Sequence, residues 1–242
     1  MRLLLKLSSS KMVPEGQLDK YSFQSAIYST LINTNFEGYH NKTGYKFFTF
    51  SDFFPSGDLI PKNIKNIIIS SPNYDLIKTI YEYFDEKKII YLRDYVLDIL
   101  ELKFFKIKEK INSVVTGSPI VIYDENRANK YFSFRDNGSI SFFLRRLKEN
   151  AIKKYCTYKK IDNFDLNSLI FDSLKFRKEV VVNLKKRDKQ FFLIGSQWYY
   201  LKKSHINSKY FDFYRFILDA GLGEKNSLGF GFLNPIEVIE NE

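Results

Sequence analysis

The feature that most constrains this chain is the order of its apolar patterns. Short β-rich runs and helical stripes follow one another as strand, helix, strand, strand, helix, strand, and the order then starts again. Met1–Ser8 predicts a strand. From about Gln17 to Asn33, the residues Phe23, Ala26, Ile27, Thr30 and Leu31 fall at i, i+3, i+4, i+7 and i+8, one face of a helix. Tyr45–Phe54 is a β-rich run stopped by Pro55, and Ile64–Ser70 is a strand closed by Pro72. Asp75–Phe84 fits a helix, and residues from about Lys88 to Lys108 hold two strands. Asn112–Pro119, with its Ser, Gly and Pro, reads as a linker. Beyond it come a strand at Pro119–Tyr123, a helix at Ser139–Tyr155, and a strand pair, Asp172–Leu184 and Gln190–Tyr199, joined by a Lys185–Lys189 turn. A helix at Phe211–Ala220 and a strand at Phe230–Ile239 complete the second unit. The expected fold is α+β: two tandem ferredoxin-like (RRM-like, β-α-β-β-α-β) modules, over residues 1–112 and 113–242.

Charge narrows the partners. Lys+Arg number 38 against 28 Asp+Glu, a formal net charge of +10. The cations cluster at Arg145–Arg146–Lys148, Lys153–Lys154, Lys159–Lys160, Lys185–Lys186–Arg187 and Lys202–Lys203, mostly in the second half. Such clusters suit a polyanion, and 17% aromatic residues suit base stacking. The joint richness in Ile, Lys, Asn, Tyr and Phe is also what A/T-rich coding produces without selection for function. Only nine cations are Arg, so contact with a nucleic acid would fall mainly on the phosphate backbone. One cysteine, Cys156, excludes an intramolecular disulfide framework and a Cys-built zinc cluster. Two histidines, His40 and His205, leave little for a His-built metal site, so neither a metal nor a cofactor is expected. The apolar stretch Leu3–Leu7 is interrupted by Lys6 and too short for a signal peptide. No window approaches the ~18–20 apolar residues of a membrane span, so no membrane partner and a cytoplasmic location are expected.

The most specific local pattern is Gly221-Leu-Gly-Glu-Lys-Asn-Ser-Leu-Gly229-Phe-Gly231. A dinucleotide-binding or phosphate-binding loop of the usual kind follows a strand and opens a helix. Here the glycines follow a predicted helix and precede a strand, and the spacing G-x-G-x5-G-x-G matches neither motif. A helix cap at Gly221 plus a turn explains one or two glycines. Four glycines around Lys225, Asn226 and Ser227 fit a backbone that comes close to a ligand, its N–H groups forming an anion nest.

At this segment the chain resembles a known family. Gly221–Gly231, leading into Phe232–Val238, is similar to the C-terminal glycine-rich loop of the CRISPR-associated RNA-processing endoribonucleases, family six of the RAMP superfamily. Gln24-Ser-Ala-Ile-Tyr28, Tyr39-His40 and Gly44-Tyr-Lys46-Phe-Phe-Thr-Phe-Ser51 resemble the family's arrangement at the front of the chain, and Thr116-Gly-Ser-Pro-Ile120 resembles the segment opening its second module. The resemblance implies two ferredoxin-like modules and metal-independent cleavage of CRISPR repeat RNA, leaving a 5′-hydroxyl and a 2′,3′-cyclic phosphate. It implies the repeat RNA as partner, with a CRISPR effector complex as a receiver of the product. A non-catalytic RNA-binding subunit on the same fold is the alternative, and a nucleotide-binding enzyme using the glycines is a third.

The same resemblance implies a catalytic group of His40, Lys46 and Tyr28. Attack by a ribose 2′-hydroxyl needs a base, charge stabilisation at phosphorus, and an acid for the leaving 5′-oxygen. His40 suits acid or base work, Lys46 electrostatic stabilisation, and Tyr28 orientation of the ribose. Each has a plainer reading: an idle surface histidine, the outward face of a strand, and packing at the core's edge. His205, in a basic stretch, is the competing histidine. The RNA is expected to cross the groove between modules past Gly221, Gly223, Lys225, Asn226, Ser227, Gly229 and Gly231. Arg145, Arg146, Lys153 and Lys154 are expected to form a cationic face on the second module's first helix, unless they are simply solvated there.

Overall fold

The computed structural model describes residues 1–107, 111–124, 130–136, 138–186 and 189–236. The first module runs β1 (Arg2–Ser8), α1 (Lys20–Ser29), β2 (Thr49–Phe50), β3 (Lys65–Ser70), α2 (Tyr74–Lys87), β4 (Ile89–Leu92) and β5 (Tyr95–Phe105). Its antiparallel sheet has the order β2-β3-β1-β5-β4. Without β4, an edge strand hairpinned to β5, this is the ferredoxin-like order. The second module runs β6 (Ser113–Thr116), α3 (Ile140–Lys159), β7 (Ser173–Lys186), β8 (Lys189–Lys202), α4 (Phe211–Ala220) and β9 (Leu233–Pro235). Its sheet, β7-β8-β6-β9, repeats that order. The tandem α+β fold expected from the sequence is the one observed.

Alternation builds the centre of the first sheet. Leu3, Leu5 and Leu7 are fully buried on one face of β1, and each such side chain contributes roughly 1.5–3 kcal/mol of burial. Helix α1 is shorter than its apolar stripe predicts. Asp19 caps it, accepting from the Tyr21 and Ser22 amides, and the chain tightens after Ser29 into i→i−3 bonds from Thr30 and Leu31. The apolar stripe continues past the last α-helical residue, so periodicity overstates the helix.

Three expectations give way. The β-rich Tyr45–Phe54 run is a strand only at Thr49–Phe50, with an isolated bridge from Phe54 to Asn66; ahead of it Phe47 takes a left-handed conformation (φ 49°) that breaks the extended chain. Asn112–Pro119 is not a linker: Ser113–Thr116 is a strand between β8 and β9, with Ser113 and Val114 buried. Gly117, which suggested the linker, is there because a Cβ would lie 2.7 Å from the Phe232 ring. Pro119–Tyr123 makes isolated bridges at Ile120, Val121 and Tyr123 rather than a strand. The last strand covers only Leu233–Pro235 of Phe230–Ile239; residues 237–239 lie outside the described residues, as do 187–188 of the Lys185–Lys189 turn.

The modules are tied together by polar as well as apolar contacts. The buried Arg2 guanidinium donates to Leu218 O (3.0 Å), Leu233 O (2.6 Å) and Asn234 Oδ1 (3.0 Å) and lies over Phe232. The Met1 amine pairs with Asp219 at 2.9 Å. A small apolar cluster of Val121, Leu184, Leu193, Leu228 and Phe230 packs against Tyr21 of α1. These contacts bring α1 and the glycine-rich segment side by side.

Candidate active site and RNA-facing cleft

Helix α1 presents Tyr28 and Gln24 on the edge of its buried stripe. The chain leaves α1, makes a short 3-10 turn at Glu37–Tyr39, and delivers His40 back over the helix. The Tyr28 and His40 rings meet edge-on, 4.7 Å between centroids. Both line a cleft of about 880 Å³, together with Gln24, Ser25, Glu37 and Arg93. The cleft is large enough for a nucleotide-sized group. His40 is exposed, and its Nδ1 lies 2.9 Å from Asn41 Oδ1. An amide oxygen facing Nδ1 places the proton there and leaves the Nε2 lone pair for chemistry.

Lys46 reaches this turn from beneath. Its Nζ donates to Tyr39 O (2.7 Å), His40 O (3.2 Å) and Lys42 O, and the Tyr39 hydroxyl donates to Lys46 O. Lys46 therefore ties down the turn that carries His40. Burial, with Lys42 nearby, draws its ammonium below the ordinary lysine pKa. Burial raises the Tyr28 hydroxyl above its usual value, and a hydrogen bond with the Ser227 side chain pulls the other way. Tyr39, more deeply placed, is pushed up to about 12 by burial and by Tyr28 and Tyr158.

The second module meets α1 at Ser227. The glycine-rich loop leaves α4 and lies on the 119–121 segment, with Glu224 N donating to Val121 O and Gly231 N to Pro119 O, each at 2.8 Å. Gln24 Nε2 donates to Ser227 O at 2.8 Å. Lys20 Nζ donates to Gly229 O (2.6 Å) and pairs with Asp52 (2.5 Å). The loop is thus wedged against α1, the helix that carries Tyr28.

The glycines do something other than expected. Gly221, Gly223, Gly229 and Gly231 are all buried. At Gly231 (φ 69°) a Cβ would sit 1.8 Å from Leu222 O, and at Gly229 (φ 77°) 2.1 Å from the Phe50 ring. The amides of Gly221, Gly229 and Gly231 already donate to Ile217, Asn226 and Pro119 carbonyls. The close backbone approach is made to the protein itself, which corrects the anion nest expected at these glycines. What the loop offers outward is Lys225, exposed and 5.6 Å over the Tyr123 ring, beside the half-buried Ser227.

The expected cationic face on α3 also divides. Lys153 is exposed, and Arg145 and Arg146 pair with Glu149 at 3.2 and 2.8 Å. Lys154, one residue and about 100° further round, is buried. Its Nζ donates to Gly221 O (2.6 Å), Gly223 O (3.0 Å) and Asn226 Oδ1 (2.7 Å). Burial draws its pKa down to about 7, opposed by the Glu224 carboxylate. Lys154 is withdrawn from any RNA-facing surface. Its phase gave the signal that was missed: 143, 144, 147, 151, 154 and 155 form one buried stripe, with a lysine at an apolar position. His205 is exposed and lines a different hollow, with Ile107, Tyr214 and Arg215. Gln24 and Lys20 escaped notice as site residues because their partners lie more than 200 positions away in the chain.

Two ferredoxin-like sheets thus lie side by side, with the glycine-rich loop of the second packed on the helix of the first that carries Tyr28. Residues 101–235 match the family model described as CRISPR associated protein Cas6, C-terminal. The chain is 39% identical over 243 residues to CRISPR-associated endoribonuclease Cas6 2 of Methanocaldococcus jannaschii, covering 98% of this chain and all of that protein. Identity to Cas6 1 of the same organism is 28% over 254 residues, covering 98% of this chain and 93% of that one. A solved structure described as CRISPR associated protein Cas6 matches with a TM-score of 0.72 at 25% identity, covering 98% and 99% of the two chains. The chain belongs to the Cas6 family.

Proposed function

We propose that this chain is an endoribonuclease that cuts CRISPR repeat RNA by attack of a ribose 2′-hydroxyl on the adjacent phosphodiester. The observation that carries the reading is the meeting of Tyr28 and His40, 4.7 Å apart, on a cleft along α1, the helix against which the glycine-rich loop packs, in a chain of the Cas6 family. O2′ loses its proton to a base and bonds to phosphorus; the P–O5′ bond breaks, and O5′ takes a proton from an acid. The products are a 2′,3′-cyclic phosphate and a 5′-hydroxyl. His40 is the proton-transfer group, through Nε2, as acid or base. Tyr28 orients the ribose. Lys46 holds the His40 turn and puts positive charge beside the phosphorane. Lys225, Arg145, Arg146 and Lys153 meet RNA phosphates, and the loop around Asn226 and Ser227 borders the scissile nucleotide. In this reading residues 1–112 carry the chemistry and 113–242 the guiding loop. No metal takes part, and a CRISPR effector complex in the cytoplasm receives the product.

The test is cleavage of a panel of labelled CRISPR repeat RNAs in excess EDTA, with a 2′-deoxy substitution at the cut site as control. Wild type is expected to cut at one position, and the deoxy RNA to bind uncut. His40→Ala should lose about 10²–10⁴-fold in rate. A 5′-thio leaving group, which needs no acid, restores His40→Ala only if His40 is the acid. Tight binding without any cleavage would make the chain an RNA-binding subunit instead.

A further inference from the structure

Lys154 is a fully buried lysine whose three hydrogen-bond acceptors all belong to the glycine-rich loop. Gly221 O, Gly223 O and Asn226 Oδ1 converge on its Nζ at 2.6, 3.0 and 2.7 Å. An ammonium group has three N–H donors, so the three oxygens saturate it. No carboxylate is among them. The lysine is therefore not one half of an ion pair but a cation gripped by neutral oxygens, two of them backbone carbonyls of residues with left-handed φ (83° and 68°).

The third ligand extends the grip. While Asn226 Oδ1 accepts from Lys154, its Nδ2 donates to Leu222 O and Phe230 O, both at 2.9 Å. One lysine and one asparagine thus gather carbonyls from both ends of the loop. The next residue, Ser227, is the one that meets α1, where Gln24 Nε2 donates to its carbonyl one helical turn before Tyr28. A second tie, Asn150 Nδ2 to Glu224 Oε1 at 2.7 Å, anchors the same loop to the same helix. The order of contact is α3, Lys154, Asn226, Ser227, Gln24, with Tyr28 one turn further along α1.

We propose that Lys154 is a positioning residue of the active site: its buried ammonium fixes the glycine-rich loop so that Ser227, through Gln24, holds α1 and its Tyr28 in place beside His40. Lys154 touches no substrate and acts through the loop. The proposal rests on the nuclease reading for its effect on rate, while its effect on the loop is independent of that reading. The oxygen cage is itself a site for a small monovalent ammonium ion once the side chain is cut away.

The experiment compares wild type, Lys154→Ala and Lys154→Met by hydrogen exchange without RNA, and by single-turnover cleavage at saturating repeat RNA. Lys154→Ala is purified and assayed with either methylammonium or sodium chloride at equal ionic strength. In sodium, amide exchange in 221–231 and 20–29 should quicken while 2–8 and 193–202 stay protected. Cleavage at saturation should fall roughly ten- to a hundredfold with little change in affinity, as for a misplaced reacting group. Methylammonium, filling the cage, should restore both in Lys154→Ala. Lys154→Met fills the space without donors, so it should show the same losses and no rescue; it also stands in if Lys154→Ala does not fold. Unchanged exchange in 221–231 would overturn the proposal. So would a loss confined to RNA affinity, which would make Lys154 an RNA contact, or a loss that methylammonium leaves untouched in Lys154→Ala. If wild type cuts no RNA, the nuclease reading fails, and the exchange measurement still decides the role of Lys154.

Discussion

The His40 turn and the glycine-rich loop both pack against α1, and they are held in contrasting ways. His40 is exposed, its imidazole meets Asn41 and the Tyr28 ring, and its turn hangs on the Lys46 ammonium at the surface. The loop opposite has four buried glycines, a buried cation at its centre, and bonds to α1, α3 and the 119–121 segment. A group that must move protons to and from RNA needs solvent and room. A wall that sets distances needs to be over-determined. Under the proposed function, the first module supplies reactivity and the second supplies rigidity.

Two substitutions should pull these apart most sharply. His40→Ala is expected to remove the cleavage rate by the orders of magnitude given above while leaving the urea midpoint where it was, since an exposed side chain supports little packing. Gly231→Ala is expected to do the reverse in kind. Its Cβ would meet Leu222 O at 1.8 Å from a left-handed backbone, so stability should drop by about 3 kcal/mol or more. Equal stability losses in the two variants would erase the contrast.

The buried cation gives the next largest effect. Burial draws the Lys154 ammonium in the folded protein down to about 7, from the ordinary lysine value of 10.5 in the unfolded chain. Between those values the unfolded chain binds the extra proton, so wild-type stability should rise with pH there. Relative to Lys154→Met, which cannot titrate, wild type should gain about 2 kcal/mol from pH 7 to pH 9 in urea unfolding. A flat difference would mean that the cage keeps the ammonium charged throughout. At the surface half of the site, Lys46→Met frees carbonyls that water can satisfy. The stability change should stay under about 1 kcal/mol, while cleavage falls by about tenfold as the His40 turn loosens. A drop in stability without a drop in rate would make Lys46 a structural residue only.

How far the sequence reveals this follows from the range of the forces. The strand-helix alternation is local, so the two ferredoxin-like units and their sheets are legible from periodicity. The resemblance at Tyr28, His40 and the glycines points to the elements that the fold places side by side. What escaped is what depends on distant partners. β6 looked like a linker because Gly117 answers to Phe232, more than a hundred residues on. The glycines looked like ligand-binding backbone because their crowding comes from Phe50 and Leu222, which no spacing rule reveals. Lys154 looked like its exposed neighbour Lys153, although its place on the buried stripe of α3 set it apart.

The smallest effect concerns the outer rim and tests whether the rigid half also touches RNA. Lys225 is exposed at the loop's tip, over the Tyr123 ring, while Arg145 shares Glu149 with Arg146. A cation that meets a phosphate releases a counterion, and on single strands each such contact adds about 0.7 to the slope of log affinity against log salt. Lys225→Ala should therefore flatten that slope by about one contact's worth when repeat RNA binding is measured across a salt series. Arg145→Ala removes a charge that Glu149 already offsets, and should leave the slope nearly as it was. The opposite pattern would move the RNA path off the glycine-rich loop and onto α3. The loop would then be a brace for Tyr28 alone, and the division between reactive and rigid halves would extend to the binding of the RNA itself.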